Sequence, residues 1–454
     1  MKISTSNVVK SFCAIFLLGI LAVSCRKDPI FFIISTETPP IPPRIPGAPT
    51  NMVKFDRKNP YDSSAPDIHL FFVASGRLHW YGSSNLAFES PGWDRNYGIP
   101  QPGGTVISLA VTQDHLYALS LNSNNSLRAT LQRTGHGPND GWETMINISD
   151  YSLIQSIYST YSEGDTDPGQ LFAGARRDSK TRETYAILRL DGSTLTTFIP
   201  NTEMLSGAAY RNGHYYVCTR GDGIFKINAG DFSSVRLRNI RSVGIKVPID
   251  PSDESSALED KSRIQEMNSR IFFMGMIKLK NPAGSIIAIE REDGYLYEIL
   301  TNNDVTDMFP DPEDAPATLN LPDNAFSQIF YSYGGARTGG YAMGGLTLWE
   351  SDAGWKLLVA SRQGTLYSTS YNNGYREFLL KPDGSFNKTG TPPFMITADE
   401  NQYTTSLGKH PINHLFQTPA DVDPGRIFFA STQTGGLWSY RHRSKGGDQW
   451  NAED

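Results

Sequence analysis

Three cysteines and eight histidines are the residues of this 454-residue chain best suited to covalent or metal chemistry. Cys13 lies inside the apolar run SFCAIFLLGILAV, Cys25 stands where that run stops, and Cys218 falls in HYYVC among large apolar neighbours. A thiol in such company is shielded from water, so Cys218 reads as a small core residue rather than a nucleophile or ligand. The histidines are scattered. His69, His115 and His214 each open a similar phrase, which marks them as strand-edge or packing residues rather than a constellation. HGP at His136 to Pro138 reads as a turn, and no glycine-rich phosphate loop joins a strand to a helix. The run 301–324 carries Asp304, Asp307, Asp311, Glu313, Asp314 and Asp323 with no Lys or Arg. It lacks the spacing and glycine of a calcium loop, so a solvated Pro/Asp loop is the simpler reading and an acidic lip for a basic partner or cation the alternative. No catalytic, cofactor-binding or metal-ligating set emerges, and no cofactor is expected; the one residue to which chemistry is assigned is Cys25.

Composition narrows the partners. A net charge of -6, without any Lys/Arg-dense patch, lacks the electrostatic footprint of a nucleic-acid binder. Hydrophobic content of 39% and charged content of 19% are those of a globular chain, while 11% aromatic residues, 41 Gly and 28 Pro favour strands and turns. The first residues stand apart from that body. Lys2 and Lys10 precede the short apolar run, too short for a membrane span, so residues 1–24 read as an export signal. Its end, LAVSC, resembles in relaxed form the lipobox of bacterial lipoproteins, spirochaetal ones included, with Ala22, Val23 and Ser24 before the cysteine. The resemblance implies that Cys25 becomes a lipidated N-terminus and that the protein is anchored to the outer or cytoplasmic membrane, facing the periplasm or the cell surface. Residues 25–50 then form a tether. Within it TPPIPPRIPGAP holds six prolines, an extended spacer.

From 51 to 454 one phrase recurs: HLFFVAS at His69, HLYALSL at His115, QLFAGAR at Gln170, HYYVCTR at His214, RIFFMGM at Arg270, KLLVASR at Lys356 and RIFFAST at Arg426. Successive starts are 46, 55, 44, 56, 86 and 70 residues apart, the spacing of β-propeller blades. Continuous apolar runs suit strands covered on both faces by neighbouring blades, and the small residues Ala74, Ala173, Gly174, Ala360 and Ala430 suit crowding towards an axis. Each phrase is read as a blade's second strand. VISLAV, LIQSIYS, LSGAAY, IQEM, FSQIFYS and INHLFQ precede as first strands; RLHWYG, DGIFKIN, SIIAIE, GTLYSTSY and GGLWSYRH follow as third strands; TLTTFI, SSVRL, YLYEIL and YREFLL are fourth strands. The fold class is therefore all-β, a seven-bladed propeller, with eight blades possible because the 86-residue gap could conceal one; the preferred reading makes GGARTGGYAMGG a hairpin within the sixth blade. NMVKF or DQWNAED completes the blade that joins the chain ends.

Four insertions, 239–263, 301–324, 334–351 and 381–411, interrupt the repeat. Three of them are read as outer-to-inner connections that build one loop-rich face. GTLYS, GGLWS and DGYLY are similar to the turn-and-strand signatures of quinoprotein-like propellers, a group that includes a lipoprotein subunit of outer-membrane assembly machinery. SKGGDQW and SDAGW resemble the Asp-box turns of sialidase-type propellers, and RIP at Arg44 to Pro46 a short sialidase motif. That family's retaining chemistry needs an Arg cluster, a Tyr nucleophile with its Glu, and an Asp acid; the full Asp-box spacing is absent. The expectation is a membrane-anchored module, not an enzyme, that binds or scaffolds a protein or glycan partner at its loop-rich face. The alternatives are a sialidase-type hydrolase and a subunit of an assembly machine.

Overall fold

The computed structural model describes residues 45, 47–59, 67–82, 93–94, 99–122, 125–147, 153–177, 184–237, 273–280, 284, 286–290, 296–299, 326–330, 345–351, 354–361, 374–385, 394–396, 412–418, 428–432, 435–441 and 449–453. These fall within one compact unit, Pro43–Asp454, and contain strands but no helix. The signal segment and Cys25 lie outside the described residues.

Each sheet is an antiparallel meander whose strands follow chain order from inside to outside. The first holds β1 (Met52–Arg57), β2 (Ile68–Ala74) and β3 (Leu78–Gly82). The second holds β4 (Thr105–Val111), β5 (Leu116–Asn122), β6 (Asn125–Thr134) and β7 (Glu143–Asn147). β8 (Leu153–Ser159), β9 (Leu171–Arg177), β10 (Thr184–Asp191) and β11 (Thr194–Thr202) form the third; β12 (Leu205–Arg211), β13 (His214–Thr219), β14 (Gly223–Asn228) and β15 (Ser234–Leu237) the fourth. The fifth comprises β16 (Phe273–Lys278), β17 (Ile286–Glu290), β18 (Leu296–Ile299) and β19 (Phe326–Phe330). β20 (Leu346–Ser351), β21 (Gly354–Ser361), β22 (Gly374–Leu379) and β23 (Phe394–Ile396) make the sixth, and β24 (Ile412–Gln417), β25 (Phe428–Thr432), β26 (Leu437–Arg441) and β27 (Gln449–Ala452) the seventh.

The core is divided among sheet-to-sheet seams. Phe72 and Leu116 share the cluster between the first and second sheets, Leu119 and Leu171 that between the second and third, Phe172 and Val217 the next. Cys218 with Phe273, Leu279 with Leu357, and Leu358 with Leu415 continue the series. Phe429 and Leu437 of the last sheet then pack with Met52 and Tyr81 of the first. The inner strands follow the same cycle: β1 lies against β4 and β24, and β4–β8, β8–β12, β12–β16, β16–β20 and β20–β24 are neighbours. Sheets in cyclic order, each packed face to face on the next, are a β-propeller. Each large apolar side chain sealed in a seam contributes about 1.5–3 kcal/mol, so a central strand covered on both sides is apolar throughout. β5 and β13 are buried along nearly their whole length, whereas the edge strand β11 is largely exposed. Ala74, Ala173, Ala360 and Ala430 are fully buried, and a Cβ on Gly174 would stand 3.0 Å from the Cβ of Leu205 on the next sheet.

Six of the repeated phrases are second strands, but RIFFMGM is not: it supplies β16, an inner strand, and IIAIE supplies the second. YLYEIL and YREFLL accordingly belong to third strands, β18 and β22. FSQIF is the outer strand β19 of the fifth sheet rather than the start of the sixth, which begins at β20. The expected hairpin within the sixth blade is therefore replaced by a connection between two sheets; GGARTGGYAMGG itself, like GTLYSTSY and IQEM, lies outside the described residues. An apolar run alone does not distinguish an inner strand from a central one when the inner strand also packs on both neighbours, as β16 does through Phe273 and Met276 on one side and Met274 and Ile277 on the other. At the chain ends both candidate segments are used: β1 is innermost in the first sheet and β27 outermost in the last. The fourth place in the first sheet is marked by Trp93, bridged to Tyr81.

Candidate functional site

The inner strands enclose a cavity of about 1010 Å3 to which every sheet contributes lining residues. Their walls are tied by side chains, since neighbouring inner strands share no backbone ladder. The Asn51 amide receives the Leu109 N–H at 3.1 Å and donates to the Leu109 carbonyl. Ser108 accepts the Ile157 N–H at 3.4 Å, Ser156 donates to the Leu205 carbonyl at 3.5 Å, and Ser206 donates to that of Phe273 at 2.6 Å. Ser431 of the last sheet is tied to the chain just before the first through the Pro49 carbonyl. Buried hydroxyls need such partners, and here satisfying them also fixes one sheet against the next.

Charge is gathered at one end, where the inner strands finish. Lys54 of β1, Lys278 of β16 and Lys280 just beyond it reach the cavity, with Asp56 and Glu163; Arg220 lines its other end. The Lys280 ammonium lies 4.9 Å from the centre of the Trp355 ring and that of Lys278 5.9 Å from Tyr210. Burial pulls the Asp56 carboxyl up, but the hydrogen bond from His69 at 2.7 Å and the charges of Lys54 and His69 hold it below the usual range. His136 stacks on Phe55 at 4.3 Å, and its ring nitrogens meet the carbonyls of Asp56 and Gln113.

The connection between β8 and β9, residues 160–170, spans this mouth. Its base is closed by Thr160 and Gln170, which exchange hydrogen bonds of 3.1 and 2.9 Å. From there Glu163 reaches Lys54 of the first sheet at 2.9 Å and Asp165 pairs with Lys278 of the fifth. Asp167 accepts the Tyr215 hydroxyl of the fourth sheet at 3.0 Å, and the Pro168 carbonyl accepts the Gln113 N–H of the second at 2.8 Å. One loop thus touches four sheets besides its own. Gly169 allows its return: its φ is +89°, and a Cβ there would strike Tyr161.

The residues singled out in the sequence are placed differently. Cys218 is fully buried beside Ser206, and burial pushes its thiol up to about 12, so it stays protonated and inert. His69 pairs with Asp56, His115 lies near the Tyr117 ring, and His214 bonds to the Asn212 carbonyl; none of the three lines the cavity. His136 does lie in a turn, but one that pins the mouth. SDAGW is the β20–β21 hairpin, and its Trp355 sits under Lys280; SKGGD and Arg44 are outside the described residues, while Ile45 of RIP is buried in the seam joining the last sheet to the first. The acidic run 301–324 is also outside them. It joins β18 to β19, so, contrary to expectation, it is not an outer-to-inner connection; Ile299 and Phe326, in the strands it joins, lie at the same end of the fifth sheet as Lys278, since Lys278 pairs with Ile286, Ile286 with Ile299 and Ile299 with Phe326. The outer-to-inner connections, expected to form the binding face, leave from the opposite end. Among the described residues no group of three or more His, Cys, Asp or Glu is arranged to hold a metal ion.

No family model matches this sequence, and no curated protein does. Solved structures similar to it include YCF48 bound to D1 peptide, at 10% identity and a TM-score of 0.45 over 90% of this chain and 98% of that one. Another is Sqt1 of Saccharomyces cerevisiae, at 10% identity and 0.43 over 90% and 86% of the two chains. A third is a chain of the COPII outer coat vertex on membranes, at 8% identity and 0.46 over 89% and 88%. The propeller assignment rests on the cyclic order of the sheets.

Proposed function

We propose that this protein is a binding or scaffolding module that holds a protein partner at the charged mouth of its propeller. The observation that carries the reading is the mouth itself: Lys54, Lys278 and Lys280 with Tyr210 and Trp355, drawn from four sheets and already holding a peptide segment, the chain's own 160–170 loop. Tyr and Trp are among the residues that anchor protein interfaces, and a row of lysines beside them selects for a partner of opposite charge. In this reading residues 25–50 link the body to lipid on Cys25, and the module works at a membrane of the cell envelope.

The experiment is affinity capture from envelope extracts with full-length protein, comparing wild type with a Lys278→Glu/Lys280→Glu variant of equal thermal stability. A discrete protein retained by the wild type and lost from the variant supports the reading. Equal retention by both places the contact elsewhere on the propeller.

A further inference from the structure

The loop at the mouth is built like a ligand. In SEGDTD, carboxylates fall at alternate positions, 163, 165 and 167, and each meets a group on a different sheet: Lys54, Lys278 and the Tyr215 hydroxyl. Its ion pairs are unequal in depth. Lys54 is 11% exposed against 61% for Glu163, while Lys278 and Asp165 are 21% and 14% exposed. Lys54 is a fixture of the wall that Glu163 reaches from the solvent side, whereas Asp165 sits as deep as its partner Lys278. Without the loop's carboxylates, Lys54, Lys278 and Lys280 would face Asp56 alone among the acidic cavity-lining residues at this end. Lys280, two residues beyond the Lys278 that pairs with the loop, is exposed and lies over Trp355, an open place in the same row of cations.

From this geometry we infer that the mouth is a receptor for an acidic peptide segment of the partner, and that residues 160–170 occupy it as an intramolecular competitor. The inference rests on the protein-binding reading above and specifies its chemistry. A partner segment with carboxylates at alternate positions, in extended conformation, reproduces the pairs made by Glu163 and Asp165 and adds one to Lys280. Binding then requires the loop to withdraw, so the apparent affinity of the wild type is lowered by the fraction of molecules in which the loop is seated. Because the attraction is between charges at a solvent-accessible mouth, it weakens with salt.

The test uses a fluorescein-labelled peptide of sequence SEGDTDPG and its Gln/Asn counterpart, SQGNTNPG, added to the full-length protein. Glu163→Gln/Asp165→Asn removes the competitor's charges but leaves the lysines; it is expected to bind the acidic peptide about tenfold more tightly than wild type. The amide peptide should bind neither, and adding Lys54→Met/Lys278→Met should abolish the gain. If the double variant does not fold, the exposed single change Glu163→Gln is read instead, with a smaller gain in the same direction. Amide hydrogen exchange of residues 161–169 in the wild type should quicken when saturating acidic peptide is added. Unchanged affinity on removal of the carboxylates, equal binding of both peptides, or unaltered exchange overturns the inference. Envelope capture separates the two levels: a partner still lost from the Lys278→Glu/Lys280→Glu variant while the acidic peptide fails to bind leaves the mouth as the binding site and rejects only the acidic-segment assignment.

Discussion

The indole N–H of Trp93 donates to a carboxylate oxygen of Glu453 across 2.7 Å, although 360 residues separate them. The other oxygen of that carboxylate accepts the Ser439 hydroxyl, and Trp93 packs edge-on against Phe429 at 5.4 Å. The two ends of the body are thereby joined by side chains, with the Leu437 N–H to the Ile45 carbonyl as a backbone tie. A closed ring has no free sheet face at its seam, and its melting is cooperative only while the seam holds.

Trp93→Phe keeps the ring packing but removes the donor from a buried carboxylate. The expected loss is about 1–3 kcal/mol, the usual cost of leaving a buried polar group short of a partner. Guanidinium titration followed by tryptophan fluorescence measures it; an unchanged midpoint would mean that the seam does not contribute to global stability. Phe429→Asp places a charge in the same cluster and should prevent folding, seen as loss of the soluble monomer.

Gly174→Val tests the packing between the third and fourth sheets. The added side chain meets Leu205 and Ser156 at once, so the expected penalty is about 1–3 kcal/mol of overpacking. Gly141→Ala, where a Cβ meets nothing within 4 Å, is the control and should leave the melting temperature nearly unchanged.

The central strands were legible because covering on both faces erases the polar alternation: LYAL and YYVC are unbroken apolar runs and lie in β5 and β13. The same erasure hid the order of strands in the fifth sheet, where Phe273 and Met276 of β16 pack on the fourth sheet while Met274 and Ile277 pack on the sixth. The mouth was not legible. Lys54 and Glu163 are 109 residues apart and each looks like an ordinary surface charge; only the ring brings them together. The alternating carboxylates of SEGDTD were the one local signal available.

Acid sensitivity should show two steps. Burial lowers the His414 ring from 6.5 to about 4, against a smaller opposing effect of its bond to the Met52 backbone. Between those values the unfolded chain holds a proton that the folded chain refuses, so this contribution is complete above about pH 6.5 and disappears as pH falls towards 4; since the residue as a whole is half-buried, it amounts to about 1–2 kcal/mol. For Asp94, burial raises the carboxyl but the bonds from His79 and the Trp80 N–H and the charge of Arg77 outweigh it and hold it below 3.8, so its contribution persists above that value and is lost as pH falls through the folded one. Urea midpoints from pH 3 to 8 trace both steps, and His414→Gln should flatten the upper one alone.

The proposed anchor predicts that full-length wild type, expressed with its leader, partitions into the Triton X-114 detergent phase, that Cys25→Ser abolishes this, and that a chain beginning at Pro43 stays aqueous and folded. Aqueous wild type with an unmodified Cys25 by mass spectrometry would remove the membrane tether and leave the propeller reading intact.

The most direct measurement places a photo-crosslinking residue at Gln113, exposed on the wall of the mouth outside the 160–170 loop, and another at Val235, exposed on the outer strand β15. With full-length protein irradiated in envelope preparations, a discrete protein adduct should form from position 113 and not from 235, mapping by mass spectrometry to one segment of one partner. Adducts from 235 with none from 113 would contradict a binding site at the mouth of the cavity.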